Sequence, residues 1–285
     1  MASPVTPSAA QALWSAAEGV HAVCYFDRGV RRAIRAAGAP GFWAGYFGTR
    51  LAPLRTRDPW LAASVLYVFA RPMVAEHLPA PEDGAAWDAA RRVAVRDALA
   101  GLGPGDPAWA AAADHVRALA EAADPAGRPL FAAHAGLPWP DDPVAATWHG
   151  CTLLREYRGD GHTHVLAGEG LSGCAAMLLA LRWRGHGAGA DASTADDRGW
   201  SADEIAAAYD DLGARGWVGP DRTVTASGAA ARAAIEAATD ARAIPPGVPA
   251  GRVTAAAEAL APLANLALAV VPERNPIGIT GRLTA

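Results

Sequence analysis

Apolar residues recur every three to four positions along most of the chain, and this spacing predicts a mainly α-helical protein. In the first half the pattern is clearest in AQALWSAAEGVHAVCYF, DRGVRRAIRAAG, DPWLAASVLYVFARPMVAEHL, AAWDAARRVAVRDALAGLG and PAWAAAADHVRALAEAAD. Asp58 followed by Pro59 is typical of a helix start, and Gly38 is typical of a helix stop.

The second half continues in helices and adds one short β signal. The proline-rich stretch GRPLFAAHAGLPWPDDP breaks the helical pattern and predicts a domain connection. Helices are then predicted over AATWHGCTLLREY, over HTHVLAGEG after a turn at RGDGH, and over LSGCAAMLLALRWR. Ser201 and Glu204 have capping-box spacing at the start of the next helix. VGPDRTV, with a turn at 219–222, predicts a β-hairpin, which completes the pattern of a winged helix.

The two halves also match each other. When the sequence from Tyr25 is shifted by 132 positions, identical residues coincide as follows: Tyr25 with Tyr157, Gly29 with Gly161, Gly38 with Gly170, Gly41 with Gly173, and Arg50 with Arg182. Glycines at fixed spacing indicate shared backbone requirements. We therefore predict tandem duplicated winged-helix or helix-turn-helix-like modules with short β-hairpin wings, at residues 1–140 and 141–285, with a cleft between them.

Composition limits the class of protein. At 285 residues, 52% hydrophobic and 19% charged, the chain can bury a large core. It contains no lysine, which excludes Schiff-base chemistry and the lysines of P-loops and kinases. The three cysteines are widely spaced, so we expect buried, inert thiols rather than disulfides or a zinc site.

The chain lacks the sequence signals of several partners. No GxGxxG follows a predicted strand, so we expect no nucleotide or flavin cofactor. No apolar run approaches the roughly 18–20 residues that cross a bilayer, and no secretory signal is recognisable. We therefore expect a cytoplasmic protein with no membrane partner. A formal net charge of −4 also disfavours non-specific DNA binding.

Polar chemistry is densest between Arg155 and His164. If a helix begins after the RGDGH turn, Arg155, Arg158, Asp160 and His162 converge at its N-terminus, where backbone N–H groups favour an anion. His162 oriented by Asp160 would act as a general acid–base pair, and the two arginines would hold an anionic group. The alternative is structural, with Asp160 as an N-cap and His162 exposed. His162 and His164 point in different directions on a helix, so no shared metal is expected.

Further candidate ligand contacts lie in both halves. His21, Tyr25 and Arg28 stand one to two helical turns apart, and Arg50 follows Tyr46 at i,i+4. Tyr157 and His164 flank the polar cluster and complete the candidate set. A core or rim position is the alternative for these residues. Most of the ten tryptophans are expected in the core, and one or two as walls of an aromatic pocket.

Several runs, LLREYRGDGHTHVLAGEGLSG, YFGTRLAPL, GRPLFAAHAGLPWP, RGWS and IEAATDARA, resemble an actinobacterial helix-turn-helix family with the label SalK-like. The resemblance covers nearly the whole chain and implies a helix-turn-helix fold. It carries over no catalytic residues. The family tends to read REHRGDGH, so Tyr157 stands here in place of a histidine.

Two functions stay open. The first is binding of a small anionic or aromatic molecule in the cleft between the modules, by a binding protein or by an isomerase, lyase or cyclase. The second is a DNA-binding transcriptional regulator. Its recognition segment would be SADEIAAAYDDL or ASGAAARAAIEAATD, and these offer few of the Arg, Asn, Gln or Lys side chains that read bases. The sequence therefore favours the ligand, with a protein-interaction role as the remainder.

Overall fold

The computed structural model describes residues 7–103, 105–187, 191 and 196–272. These residues are mainly helical, as the apolar periodicity predicts, and none of them forms a β-strand. The helices in chain order are α1 (Pro7–His21), α2 (Val23–Phe26), α3 (Arg28–Ala36), α4 (Phe42–Leu51), the 3₁₀ helix η1 (Ala52–Leu54), α5 (Pro59–Val65), α6 (Arg71–His77), α7 (Pro81–Ala100), α8 (Asp106–Glu121), α9 (Pro129–Ala135), α10 (Pro143–Gly168), α11 (Gly173–Trp183), α12 (Ala202–Ala214), α13 (Ala226–Ala243), α14 (Ala250–Ala267) and the 3₁₀ helix η2 (Leu268–Val270).

The chain divides into two compact units. Unit 1 comprises residues 1–56, 79–160 and 240–285, and unit 2 comprises residues 57–78 and 161–239. The predicted modules at 1–140 and 141–285 divide the chain differently, because each compact unit takes residues from both of them. The stretch predicted as a domain connection contains α9, whose Leu130 and Phe131 are buried within unit 1.

Unit 1 is built around one large apolar core. Val20, Trp109, Val116, Trp148 and Leu260 are among its fully or almost fully buried members. The first and last of its long helices, α1 and α14, make the most extensive helix–helix contact in the described chain. Gly19 permits this contact, because a Cβ atom there would lie 3.0 Å from Cβ of Ala264. A smaller apolar cluster, formed by Ala120, Phe131, Leu153 and Tyr157, packs beneath α9.

Unit 2 packs α11 and α12 around a second core that includes Leu178, Leu212 and Ile235. The loop between α5 and α6 closes on this unit: the Tyr67 hydroxyl donates to the carbonyl of Leu171 at 2.7 Å. At the start of α11 the backbones come so close that a Cβ atom on Gly173 would lie 1.8 Å from the Tyr67 carbonyl oxygen. Only glycine fits at this position.

Local signals set several helix ends as predicted. The Asp58 carboxylate accepts the N–H of Trp60, with Pro59 in the first helical turn of α5. Ser201 and Glu204 form both hydrogen bonds of a capping box on α12. Gly38, at φ 111°, takes the left-handed conformation that follows α3.

The β-hairpin wings and the duplication are not supported. Between Trp217 and Thr225 the chain makes one antiparallel bridge, Val218 with Val224, which is too short for a strand. The matched segments also differ in backbone. Asp27 is extended and ends α2, whereas its counterpart Gly159 lies inside α10. The matching glycines therefore do not mark matching structure.

The expectation that no apolar stretch is long enough to cross a bilayer is corrected. Among the described residues, one straight helical stretch, Ala250–Val270, is long and apolar enough to cross a bilayer by length and composition. Its Val253, Leu260 and Leu263 are buried in the core of unit 1, and a buried core helix passes the same test.

Candidate functional site

A cavity of about 470 Å³ opens in unit 1 beside α3 and α4. A volume of this size accommodates a small organic molecule. Its lining combines aromatic and basic side chains, and the full set is Cys24, Tyr25, Arg28, Arg31, Arg32, Ile34, Arg35, Ala39, Gly41, Phe42, Gly45, Tyr46 and Thr49. No aspartate or glutamate is part of this lining.

Four arginines of α3 form the basic side of the cavity. Arg28, Arg31, Arg32 and Arg35 are all exposed, and their spacing places them along one side of the helix while the apolar Val30 and Ile34 are buried. Within the described parts of the chain none of the four forms an ion pair. Arg35 donates a long hydrogen bond to the carbonyl of Pro40 at 3.5 Å, and no carboxylate of the described residues neutralises the positive charge of the four groups, which stays available to an anion from solution.

Aromatic side chains form the other side of the cavity. The ring of Tyr46 lies 5.4 Å from the ring of Tyr25 and 6.4 Å from the ring of Phe42, measured between centroids. Phe42 is about half exposed, at 47%, so part of its ring is accessible from the cavity. The three rings provide flat apolar surface for an aromatic ligand.

Behind Tyr25, a chain of hydrogen bonds fixes the protons of a buried histidine. The Thr152 hydroxyl donates to the carbonyl of Trp148 at 2.9 Å, so its oxygen accepts from Nδ1 of His21 at 3.0 Å. Nε2 of His21 is then the unprotonated nitrogen and accepts the hydroxyl proton of Tyr25 at 3.0 Å. The imidazole also stacks on Trp148, with 5.5 Å between centroids.

Burial keeps this pair neutral. Burial, with the positive charges of Arg155 and Arg91, holds the pKa of His21 well below its usual value. Burial also raises the pKa of Tyr25 well above its usual value, and it raises the pKa of the Cys24 thiol to about 12. A proton relay to His21 and a thiolate nucleophile are both disfavoured near neutral pH. These groups are suited to holding a ligand rather than to activating one.

A buried ionic network lies next to the pair. Glu156 accepts two hydrogen bonds from Arg50, at 3.0 and 2.8 Å, and a third from Arg155 at 2.8 Å. Arg155 also contacts Glu18 at 2.9 Å, and Arg50 donates to the Tyr46 hydroxyl at 2.9 Å. Two carboxylates balance two guanidinium groups, so this network adds no net charge to the site. Its role is to fix Tyr46 and the surrounding backbone.

Six of the residues predicted as ligand contacts therefore come together in unit 1. Tyr25, Arg28 and Tyr46 line the cavity, while His21, Arg50 and Arg155 lie behind the lining in the hydrogen-bonded shell.

The predicted Arg158 and Tyr157 lie elsewhere in unit 1. Arg158 pairs with Asp240 at 3.2 Å, and its guanidinium group lies over the ring of Trp14 at 4.4 Å. Arg128 covers the ring of Tyr157 at 3.5 Å. Both predicted residues hold helices together.

The predicted turn at RGDGH is wrong, and with it the helix N-terminus at which Arg155, Arg158, Asp160 and His162 were to converge. All four lie within the uninterrupted helix α10, where residues two positions apart do not face each other. His162 belongs to unit 2 and contacts the Thr239 hydroxyl at 2.8 Å through Nδ1. His164 is exposed on the same helix. The catalytic role of His162 with Asp160 stays a prediction.

Asp160 does cap a helix, but a distant one in sequence. Its carboxylate accepts the backbone N–H of Phe131 at 2.9 Å, at the N-terminus of α9. Burial raises the pKa of Asp160 to about 6, although this backbone hydrogen bond opposes the rise. The prediction that Asp160 is the N-cap of a helix beginning at the RGDGH turn is wrong, because Asp160 lies within α10 and binds the N-terminal backbone of α9 instead.

We expect the Asp160→Asn variant to lose part of the pH dependence of unfolding. A folded pKa of about 6, above the unfolded value of 3.8, means that the folded chain binds more protons. The stability contribution is full below pH 3.8 and is lost as the pH rises through 6. Between pH 3.8 and pH 6, denaturant unfolding should show that wild type loses about 3 kcal/mol of stability relative to Asp160→Asn. An offset that does not change with pH would contradict this.

Arg31, Arg32 and Arg35 at the cavity, and Glu156 behind it, are not among the site residues that the sequence predicts. The signal for the arginines was present: DRGVRRAIRAAG places arginines at i, i+3, i+4 and i+7 with no lysine or acid among them. Glu156 carried no comparable signal, since a single glutamate within a helix is normally exposed.

Helix α12 of unit 2, which precedes the bridge at Val218, contains one of the two segments predicted to read DNA if the protein is a regulator. The exposed residues of α12 are small or acidic, including Asp203, Glu204 and Asp210. Unit 2 as a whole carries eight arginines and twelve aspartates and glutamates. This excess of acidic residues disfavours contact of unit 2 with a phosphate backbone.

Among the described residues, no group of three or more His, Cys, Asp or Glu side chains could hold a metal ion. Cys24, Cys151 and Cys174 are free and buried, as the sequence predicts.

No curated protein and no solved structure matches the chain. A family model described as a helix-turn-helix family matches residues 10–274, which is nearly the full length. The chain therefore belongs to this helix-turn-helix family.

Proposed function

We propose that this protein binds a small anionic aromatic molecule in the cavity beside α3 and α4. The observation that carries the proposal is the set of four arginines, free of ion pairs in the described chain, around an aromatic cavity. Elsewhere in unit 1 the buried arginines are matched by carboxylates, as Arg50 is by Glu156 and Arg91 by Asp88. The unmatched positive charge is thus concentrated where a ligand has room to bind.

The two sides of the cavity are suited to different parts of the ligand. The exposed guanidinium groups of α3 present planar donors that suit an oxyanion. The rings of Tyr25, Phe42 and Tyr46 provide the stacking surface. Because His21 and Tyr25 are neutral and already hydrogen-bonded to each other, the interior favours binding without chemical change of the ligand.

The test is a titration of the full chain with 8-anilino-1-naphthalenesulfonate, a fluorescent anionic aromatic probe, checked by calorimetry. We expect saturable binding by the native protein, weakened at least about tenfold in the Arg31→Gln/Arg35→Gln double variant through loss of two charge-assisted contacts. Arg252→Gln, which removes an exposed arginine on α14, is the matched control and should bind like wild type. Equal affinity in all three proteins would refute the proposed site.

Family membership favours a second candidate, a ligand-responsive regulator that binds DNA through unit 2. In this proposal α11, α12 and the short turn at 219–222 act as a reduced winged helix, in keeping with the resemblance to the SalK-like group. The acidic surface of α12 weighs against it. A salt-sensitive mobility shift of duplex DNA that survives the Arg31→Gln/Arg35→Gln change would favour the regulator.

A further inference from the structure

We propose that the anionic group of the ligand is a phosphate, carried as an ester on the aromatic group that enters the cavity. This inference rests on the proposed function and narrows the chemical class of its ligand. It follows from the amount of positive charge at the cavity, from the spacing of that charge, and from the position of the aromatic rings relative to it.

The amount of charge exceeds what a monoanion can balance. Four guanidinium groups line the cavity, and the lining contains no carboxylate. The nearest acidic residue in sequence, Asp27, is not part of the lining; it is the N-cap of α3 and accepts the N–H of Val30 at 2.9 Å. A carboxylate or sulfonate would leave most of this charge unbalanced. A phosphate monoester carries nearly two charges near neutral pH and three strong acceptor oxygens.

The spacing of the charge also suits phosphate. Arg28 and Arg35 stand seven residues apart on one helix, which separates their Cα atoms by about 10 Å along its axis. Arg31 and Arg32 lie between them. Long side chains on such a frame can converge on one tetrahedral group from several directions, and guanidinium forks pair bidentately with phosphate oxygens.

Helix α4, the second helix at the cavity, adds to the positive electrostatic potential of the arginines. The N-cap of α4 is Gly41, which lines the cavity and has no side chain to cap the helix. The N-terminal end of a helix carries partial positive charge. Phe42 and Tyr46 stand on this helix and are exposed to the cavity, so the rings and the positive charge meet within one site. The arginines carry the inference, and the helix end adds to them.

The experiment compares two probes that share one ring system, 1-naphthyl phosphate and 1-naphthalenesulfonate, by calorimetry with the full chain at low salt. Near pH 8 we expect the phosphate to bind at least about tenfold more tightly, because it carries the second charge. Near pH 5 that charge is lost, since the second pKa of a phosphate ester is about 6. The two affinities should then agree within about threefold. The sulfonate keeps its charge throughout and reports any change in the protein itself.

Two variants test whether the preference for phosphate over sulfonate arises at the cavity. Arg31→Gln/Arg35→Gln should remove most of the phosphate preference, and Arg252→Gln should retain it. Equal binding of the two probes near pH 8 would overturn the phosphate assignment and leave the proposed function intact. If neither probe binds, both the phosphate assignment and the proposed function are refuted. Inorganic pyrophosphate or a single-stranded oligonucleotide that binds more tightly than naphthyl phosphate would overturn the aromatic ester, as would a preference unchanged in the double variant.

Discussion

Replacing Glu156 by glutamine is expected to lower the free energy of unfolding by about 3–5 kcal/mol. The Glu156 carboxylate is 1% exposed and accepts hydrogen bonds from both Arg50 and Arg155. Glutamine keeps the volume and one acceptor oxygen but removes the charge. Two guanidinium groups would then lie in the interior with only Glu18 as a counter-charge. Denaturant unfolding followed by circular dichroism measures the change.

A matched control for this variant is Glu121→Gln. Glu121 also pairs with an arginine, Arg117, but both side chains are about half exposed. Exposed pairs of this kind contribute about 0.3–0.5 kcal/mol. Similar losses in the two variants would show that the interior network does not stabilise the fold.

Acid should act on the same network. Although burial alone would raise it, the guanidinium groups of Arg50 and Arg155 hold the pKa of Glu156 well below its usual range. A depressed folded pKa means that the stabilisation is present above the unfolded value of 4.5 and is lost as the pH falls below it. The stability difference between wild type and Glu156→Gln should therefore shrink under acidic conditions.

The second large effect is expected for Gly173→Ala in unit 2. The added Cβ would lie 1.8 Å from the carbonyl oxygen of Tyr67, and backbone atoms can yield only by moving the whole segment. Overpacking costs about 1–3 kcal/mol where side chains absorb it, and a backbone clash places this variant at or above that limit. Thermal unfolding, with hydrogen exchange of the α11 peptide, would localise the loss to unit 2.

Gly213→Ala provides the opposite expectation within the same unit. A Cβ there meets no atom within 4 Å, because Gly213 lies on the exposed side of α12. Alanine is favoured over glycine in a helix by about 1 kcal/mol, so this variant should be as stable as wild type or more stable. A Gly173→Ala protein as stable as Gly213→Ala would disprove the close approach of Tyr67.

The sequence predicted the helices well where periodicity and end signals agree. Asp58 with Pro59, and Ser201 with Glu204, act locally, so each pair defines its helix start whatever the rest of the chain does. The turn at RGDGH failed because tertiary contacts outweighed two glycines. Arg158 and Asp160 are both held in unit 1, by Asp240 and by the backbone of Phe131, and these contacts keep α10 helical through Gly159.

The candidate site was predictable only in part. His21, Tyr25, Arg50 and Arg155 were recognised as residue types that hold ligands, and they do lie together. The cavity itself depends on how closely α4 approaches α3, which no local pattern encodes. Gly45 shows this: a Cβ there would lie 3.0 Å from the side chain of Ile34. Without knowledge of the contact between Gly45 and Ile34, the sequence predicts only that the arginines of α3 lie on a solvent-exposed helix face.

The pairing of α1 with α14 has a consequence for biosynthesis. The hydrophobic core of unit 1 needs Leu260 and Leu263 from α14 to cover residues supplied by the first helix. A nascent chain therefore cannot finish this core until α14 has left the ribosome. Contacts between such distant segments close slowly, and the partly covered core stays exposed to aggregation in the meantime. Chaperone demand during synthesis should be concentrated on unit 1.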